Sequence, residues 1–91
     1  ITRTGDNIEI RRLINPFRDK ISFDLLATQD GPATFTLLDN YGRVIRQFKS
    51  RVLKGFNHVA LDQLNNIGKA TYYLRVEANN EILNRMVIKS Q

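Results

Sequence analysis

The chain has no cysteine, no tryptophan, two prolines, five glycines, one methionine and one histidine among its 91 residues. Without cysteine there is no disulfide framework, no thiolate nucleophile and no cysteine-based metal site. A bacterial domain exported without disulfides has this composition, and so has a cytosolic one. No run of about 18 or more apolar residues is present, and the first residues lack the basic, apolar, small-residue order of a signal peptide, so no membrane insertion is expected. Beginning at Ile1, the chain is expected to be a piece of a longer protein, whose own targeting these residues do not report.

Catalytic signals are missing as well. None of the spacings HExxH, GxSxG, GxxxxGK[ST] or an EF-hand loop occurs. The single histidine, His58, falls on the polar face of an expected strand, which suits a surface role rather than catalysis or metal binding. The acids Asp6, Glu9, Asp19, Asp24, Asp30, Asp39, Asp62, Glu77 and Glu81 are scattered over turns and strand exteriors. Poised acid–base or nucleophilic chemistry needs such groups to converge in a protected cleft, and a domain this small has little room for one. The expectation is a non-enzymatic domain with no cofactor and no metal.

What is present is a modest apolar content of 42%, a charged content of 25% and a net charge of +5. That balance fits one small globular domain with a single core. The charge is unevenly placed: Arg43, Arg46, Lys49, Arg51 and Lys54 lie in one segment without Asp or Glu, whereas the other cations are interleaved with acids. Such a cluster is either a solvated edge or a binding surface for an acidic partner. Nucleic acid is not the expected partner, because Tyr41, Phe56 and Tyr73, the aromatics free to be exposed, share no spacing with the cations.

The periodicity throughout is that of strands. Ile21, Phe23 and Leu25 alternate with Ser22 and Asp24; Phe35 and Leu37 alternate with Thr34 and Thr36; Val59 and Leu61 alternate with His58, Ala60 and Asp62. Tyr72, Leu74 and Val76 oppose Tyr73, Arg75 and Glu77, and the last run carries Ile82, Leu83, Met86, Val87 and Ile88 as a further apolar strand. "NIEIRRLI" is a shorter strand candidate, and "LDQLNN" has the only weak signal for a turn of helix. Turns are marked by "QDGP", "DNYG", "KGFN", "NNIGK" and "NNE". In "LLDNYGRVIR", Asp39 can accept backbone N–H bonds across a type I turn, with Gly42 in the left-handed conformation of a G1 bulge. About seven short strands with turns between them predict an all-β, immunoglobulin-like antiparallel β-sandwich of Greek-key type.

"NPFRDKISF" opens this series. Asn-Pro-Phe occurs as a peptide ligand, but Phe17 is followed almost at once by a strand whose apolar face needs covering. Pro16 lacks an N–H and suits a corner, Asn15 can cap that corner, and Phe17 is expected to pack under the sandwich.

Read in order, "NPFRDKISF", "LLDNYGRVIRQ", "KGFNHVALDQL", "TYYLRV" and "RMVIKSQ" resemble the C-terminal sorting domains of type IX secretion system cargo from the Bacteroidota. That family has a Pro-Asn-Pro-Phe-like element, an Asp-x-x-Gly-Arg/Lys-Val turn, a Gly-x-Asn strand start, a Gly-x-Tyr-Leu-Arg-Val strand and a Lys-bearing terminal strand. Two positions depart from it: Ile14 stands for the first proline, and Ala70 for the usual glycine, with Gly68 upstream. The resemblance covers nearly the whole chain and implies one C-terminal sorting domain over residues 1–91, with residues 1–14 including part of a linker from the parent.

The function it implies is transport. The cargo, fused in cis on the N-terminal side, enters the periplasm, is recognised by the type IX translocon and its shuttle components, and reaches the cell surface or the medium. A surface sortase-like peptidase commonly removes the domain. The positions matching the family's motifs are Asn15, Pro16, Phe17, Gly42, Arg43, Val44, Gly55, Asn57, Tyr72, Leu74, Arg75, Ile88 and Lys89. Two surfaces are candidates for recognition by strand addition, the last strand and the basic segment 43–54. The competing reading is an immunoglobulin-like or fibronectin-like spacer, or a carbohydrate-binding accessory module, against which the lack of tryptophan counts.

Overall fold

Alternation in "ISFDLLA" turns Ile21, Phe23, Leu25 and Ala27 to one side, and all four are buried. The same rule buries Ala33, Phe35 and Leu37, and Tyr72, Leu74, Val76 and Ala78. The computed structural model describes residues 7–90, and these form seven strands without a helix: β1 (Glu9–Arg11), β2 (Ile21–Ala27), β3 (Gly31–Leu38), β4 (Val44–Val52), β5 (Gly55–Leu61), β6 (Thr71–Ala78) and β7 (Glu81–Ile88). They make a three-stranded sheet, β1-β2-β5, and a four-stranded sheet, β4-β3-β6-β7, with every strand pair antiparallel. The two non-sequential pairings, β2 with β5 and β3 with β6, interlock the sheets as a Greek-key, immunoglobulin-like sandwich. Phe23 of one sheet meets Phe35 of the other edge-on, with ring centroids 5.7 Å apart.

The chain crosses between the sheets after β2, β4 and β5, and side chains build the last two of these corners. After β4, Gly55 adopts φ 104°, a conformation that penalises any side chain. Asn57 then ties the corner: its Oδ1 accepts from Leu53 N–H, and its Nδ2 donates to the carbonyls of Leu53, Gly55 and Leu25. Before β6, the Tyr72 hydroxyl donates to Gly68 O at 2.7 Å, the tyrosine corner of immunoglobulin-like sandwiches. Between β6 and β7, Asn79 and Asn80 both take positive φ and form the tight hairpin expected of "NNE".

One sequence expectation is corrected. "LDQLNN" forms no helix: residues 62–70 are a loop pinned by buried Leu64, whose N–H donates to Asp19 O. Residues from Ile8 onward are part of the fold, since Ile8 is buried and β1 pairs with β2; residues 1–6 lie outside the described residues. The last run divides between the two faces of its sheet. Leu83 packs against the core and Val87 is buried, while Ile82, Met86 and Ile88 alternate out to the other face.

The Asn-Pro-Phe element does more than turn a corner. Phe17 is 1% exposed and tilts against Tyr72, as expected of a residue under the sandwich. Asn15, however, caps the last strand rather than its own corner: its Nδ2 donates to Met86 O and its Oδ1 accepts from Ile88 N–H. Phe17 N–H then donates to Ile88 O, and Phe17 O accepts from Ser90 N–H. The outer edge of β7 is thereby occupied over its final residues.

Candidate functional site

The β3–β4 hairpin is built around one carboxylate. Asp39 Oδ1 accepts from the N–H groups of Tyr41 and Arg43, each at 2.9 Å, and Oδ2 accepts from Arg43 Nε at 2.8 Å. Gly42 closes the turn, with φ 83° and its N–H donating to Asp39 O. A register shift between Leu37 and Leu38 marks the bulge. The mechanism expected of "DNYGR" from its residue types is the one found. The Arg43 guanidinium also lies over the Tyr41 ring, 5.4 Å from its centroid.

Burial alone would raise the Asp39 pKa, but the backbone N–H bonds from Arg43 and Tyr41, joined by the Arg43 side chain, outweigh it and hold the carboxyl below its ordinary 3.8. A depressed folded-state pKa contributes stability that is full above the unfolded value and is lost as pH falls through the folded one. Asp39→Asn keeps an acceptor for the two N–H groups yet cannot titrate. The variant is therefore expected to lose less stability than the parent between neutral pH and the region below 3.8, measured by urea unfolding across the acid range. Equal acid sensitivity of the two proteins would remove Asp39 from the account.

The strand register brings this hairpin into one row with distant segments. Across the outer face of the four-stranded sheet, Val44 pairs with Leu38, Leu38 with Tyr73, and Tyr73 with Met86. Ile88, two residues beyond Met86, lies on the same face. Val44, Tyr73, Met86 and Ile88 are exposed and Leu38 is covered between them, so an apolar stripe crosses all four strands. The next row, Gln47, Thr36, Arg75 and Asn84, is polar. Beside the stripe is a shallow depression of about 280 Å³ lined by Leu38, Asp39, Asn40, Gly42, Tyr73, Arg75 and Asn84. An exposed apolar stripe with a polar border is the form of a contact surface, not of a catalytic cleft.

The positions singled out by sequence divide in two. Gly42, Arg43, Val44, Arg75 and Ile88 belong to or border this face. Phe17, Tyr72, Leu74 and Lys89 are buried, Leu74 completely, and act in folding rather than at the surface. Lys89 is 2% exposed, with its N–H bonded to Ala70 O, so the terminal lysine is not presented to a receptor by the folded domain. Asn15 and Pro16 sit at the β7 edge, while Gly55 and Asn57 form the corner after β4 and are not brought to the stripe.

Sequence reasoning did not join Tyr73 to Met86, because the former stands there only as an aromatic free to be exposed and the latter only as a member of the last apolar run. Strict alternation from Val87 would have turned it outward. His58 is exposed as expected and bonded to Asp24, whose other oxygen lies 3.8 Å from Arg12 Nε. Among the described residues no group of three or more His, Asp or Glu side chains could hold a metal ion. Compared with protein-family models and with curated proteins, the chain matches none.

Proposed function

We propose that this domain is a non-catalytic sorting label, recognised in its folded state by the type IX secretion translocon and its shuttle components, and that it carries a fused periplasmic cargo across the outer membrane to the cell surface. The observation that carries the reading is a convergence. Gly42 to Val44, Arg75 and Ile88 come from three separate motifs of the resemblance, and they meet on or around one exposed apolar face. Motif residues kept only for folding would be scattered through the core and its corners, as Leu74, Tyr72 and Asn57 are. Removal of the label by a sortase-like peptidase belongs to the same proposal.

The test fuses residues 1–91 to a periplasmic reporter in a strain with a working type IX translocon and in one without. Surface reporter is expected only in the competent strain. Val44→Asp and Ile88→Asp, at exposed positions that leave the core intact, are expected to keep the reporter in the periplasm. Surface delivery in both strains, or retention of the parent fusion in both, would reject the sorting reading.

A further inference from the structure

The four outer strands of the two sheets are not equivalent. In the smaller sheet, β1 has three residues, and β5 carries one histidine and no Lys or Arg. In the larger sheet, β7 is capped over its last residues by Asn15 and Phe17. β4 is the longest strand, nine residues, and no described segment pairs with its outer edge.

The free groups of that edge can be assigned from the ladder. In an antiparallel sheet the N–H and C=O of one residue point the same way, and successive residues alternate. Ile88 turns both groups away from β6, toward Asn15 and Phe17. Carried through the register Ile88↔Thr71 and Tyr73↔Leu38, then across β3 to β4, this alternation directs the N–H and C=O of Gln47, Lys49 and Arg51 outward. Their side chains are exposed on the sheet's outer face, so the open hydrogen-bonding groups and the cations belong to the same residues. Arg46, Lys49, Arg51 and Lys54 form no ion pair with a described residue. Phe48, half-buried at the rim on the inner face, leaves apolar surface for a neighbour to cover.

We infer that the β4 edge takes an extended acidic segment of a partner protein as a fifth strand of the larger sheet. Main-chain bonds to Gln47, Lys49 and Arg51 supply attachment. Carboxylates on one face of the incoming strand lie opposite Lys49 and Arg51, and β-branched residues on its other face cover Phe48. The cations that select an acidic strand also repel a second copy of this edge, which keeps the domain from pairing with itself. The inference does not rest on the sorting reading, and its test needs no translocon.

The probe is a blocked nine-residue peptide of alternating Glu and Val, matched in length to β4, added to the purified chain. Binding is expected to protect the Gln47, Lys49 and Arg51 amides from hydrogen exchange. The double variant Lys49→Glu, Arg51→Glu should weaken it by about tenfold or more, and so should Gln47→Pro, which keeps every charge but removes one edge N–H. Thermal unfolding of each variant confirms its fold, and amide protection in the parent chain stands apart from both. No binding, protection at another edge, undiminished affinity of a folded Gln47→Pro, or displacement of the peptide by a single-stranded oligonucleotide would overturn the inference.

Discussion

Phe17→Ala is expected to lower the free energy of unfolding by about 3–5 kcal/mol, the usual cost of deleting a fully buried aromatic ring. Phe17 is 1% exposed, packs against Tyr72, and anchors the segment whose N–H and C=O bond Ile88 and Ser90. A domain of this length has a total stability of about 5–14 kcal/mol, so the substitution removes a large share of it. At roughly 4–8 °C per kcal/mol for a chain of this size, the melting temperature should fall by more than about 12 °C. Ile14→Ala, an exposed position three residues earlier, should change stability by no more than about 0.5 kcal/mol. Calorimetry of the two variants beside the parent checks both values. A fall of under about 1 kcal/mol for Phe17→Ala would mean that the Asn-Pro-Phe element is not held in the core.

Removing residues 86–91 is expected to abolish cooperative unfolding altogether. The deletion takes Val87, which is fully buried, out of the core and bares the edge of β6 at Thr71 to Tyr73. It also strips Asn15 and Phe17 of the strand they cap. A chain so truncated should give a shallow, non-cooperative thermal trace and little amide protection in β6; a sharp transition near that of the parent would show β7 to be dispensable. The consequence for function is practical. A cargo fused to the truncated label and retained in the periplasm has lost a folded domain, not a recognition surface. Exposed positions such as Val44, Met86 and Ile88 separate the two effects, because a surface substitution there changes stability by only about 0.5 kcal/mol.

Local geometry was legible where the chemistry is local. "DNYGR" specifies its turn because one carboxylate reaches the N–H groups two and four residues on, and because glycine takes the positive φ between them. "NNE" specifies a hairpin for the same kind of reason. Alternation likewise marks the inward faces of β2, β3 and β6, since a period of two follows from the backbone alone. It does not resolve β7, whose five apolar residues are unevenly spaced, so that only the structure divides Leu83 and Val87, turned to the core, from Ile82, Met86 and Ile88 on the other face.

By itself, then, the amino-acid order determined which segments are strands, where they turn, and which side of most of them is apolar. Only the tertiary structure decided which strands are neighbours. Every strand offers the same N–H and C=O groups, so pairing is chosen by side-chain packing between residues far apart in sequence. Asn15 and Ile88, 73 residues apart, meet because Phe17 and Val87 share one core, and that meeting closes the end of β7 and leaves β4 open. The burial of Lys89 and the stripe of Val44, Leu38, Tyr73 and Met86 follow from the same choice of neighbours.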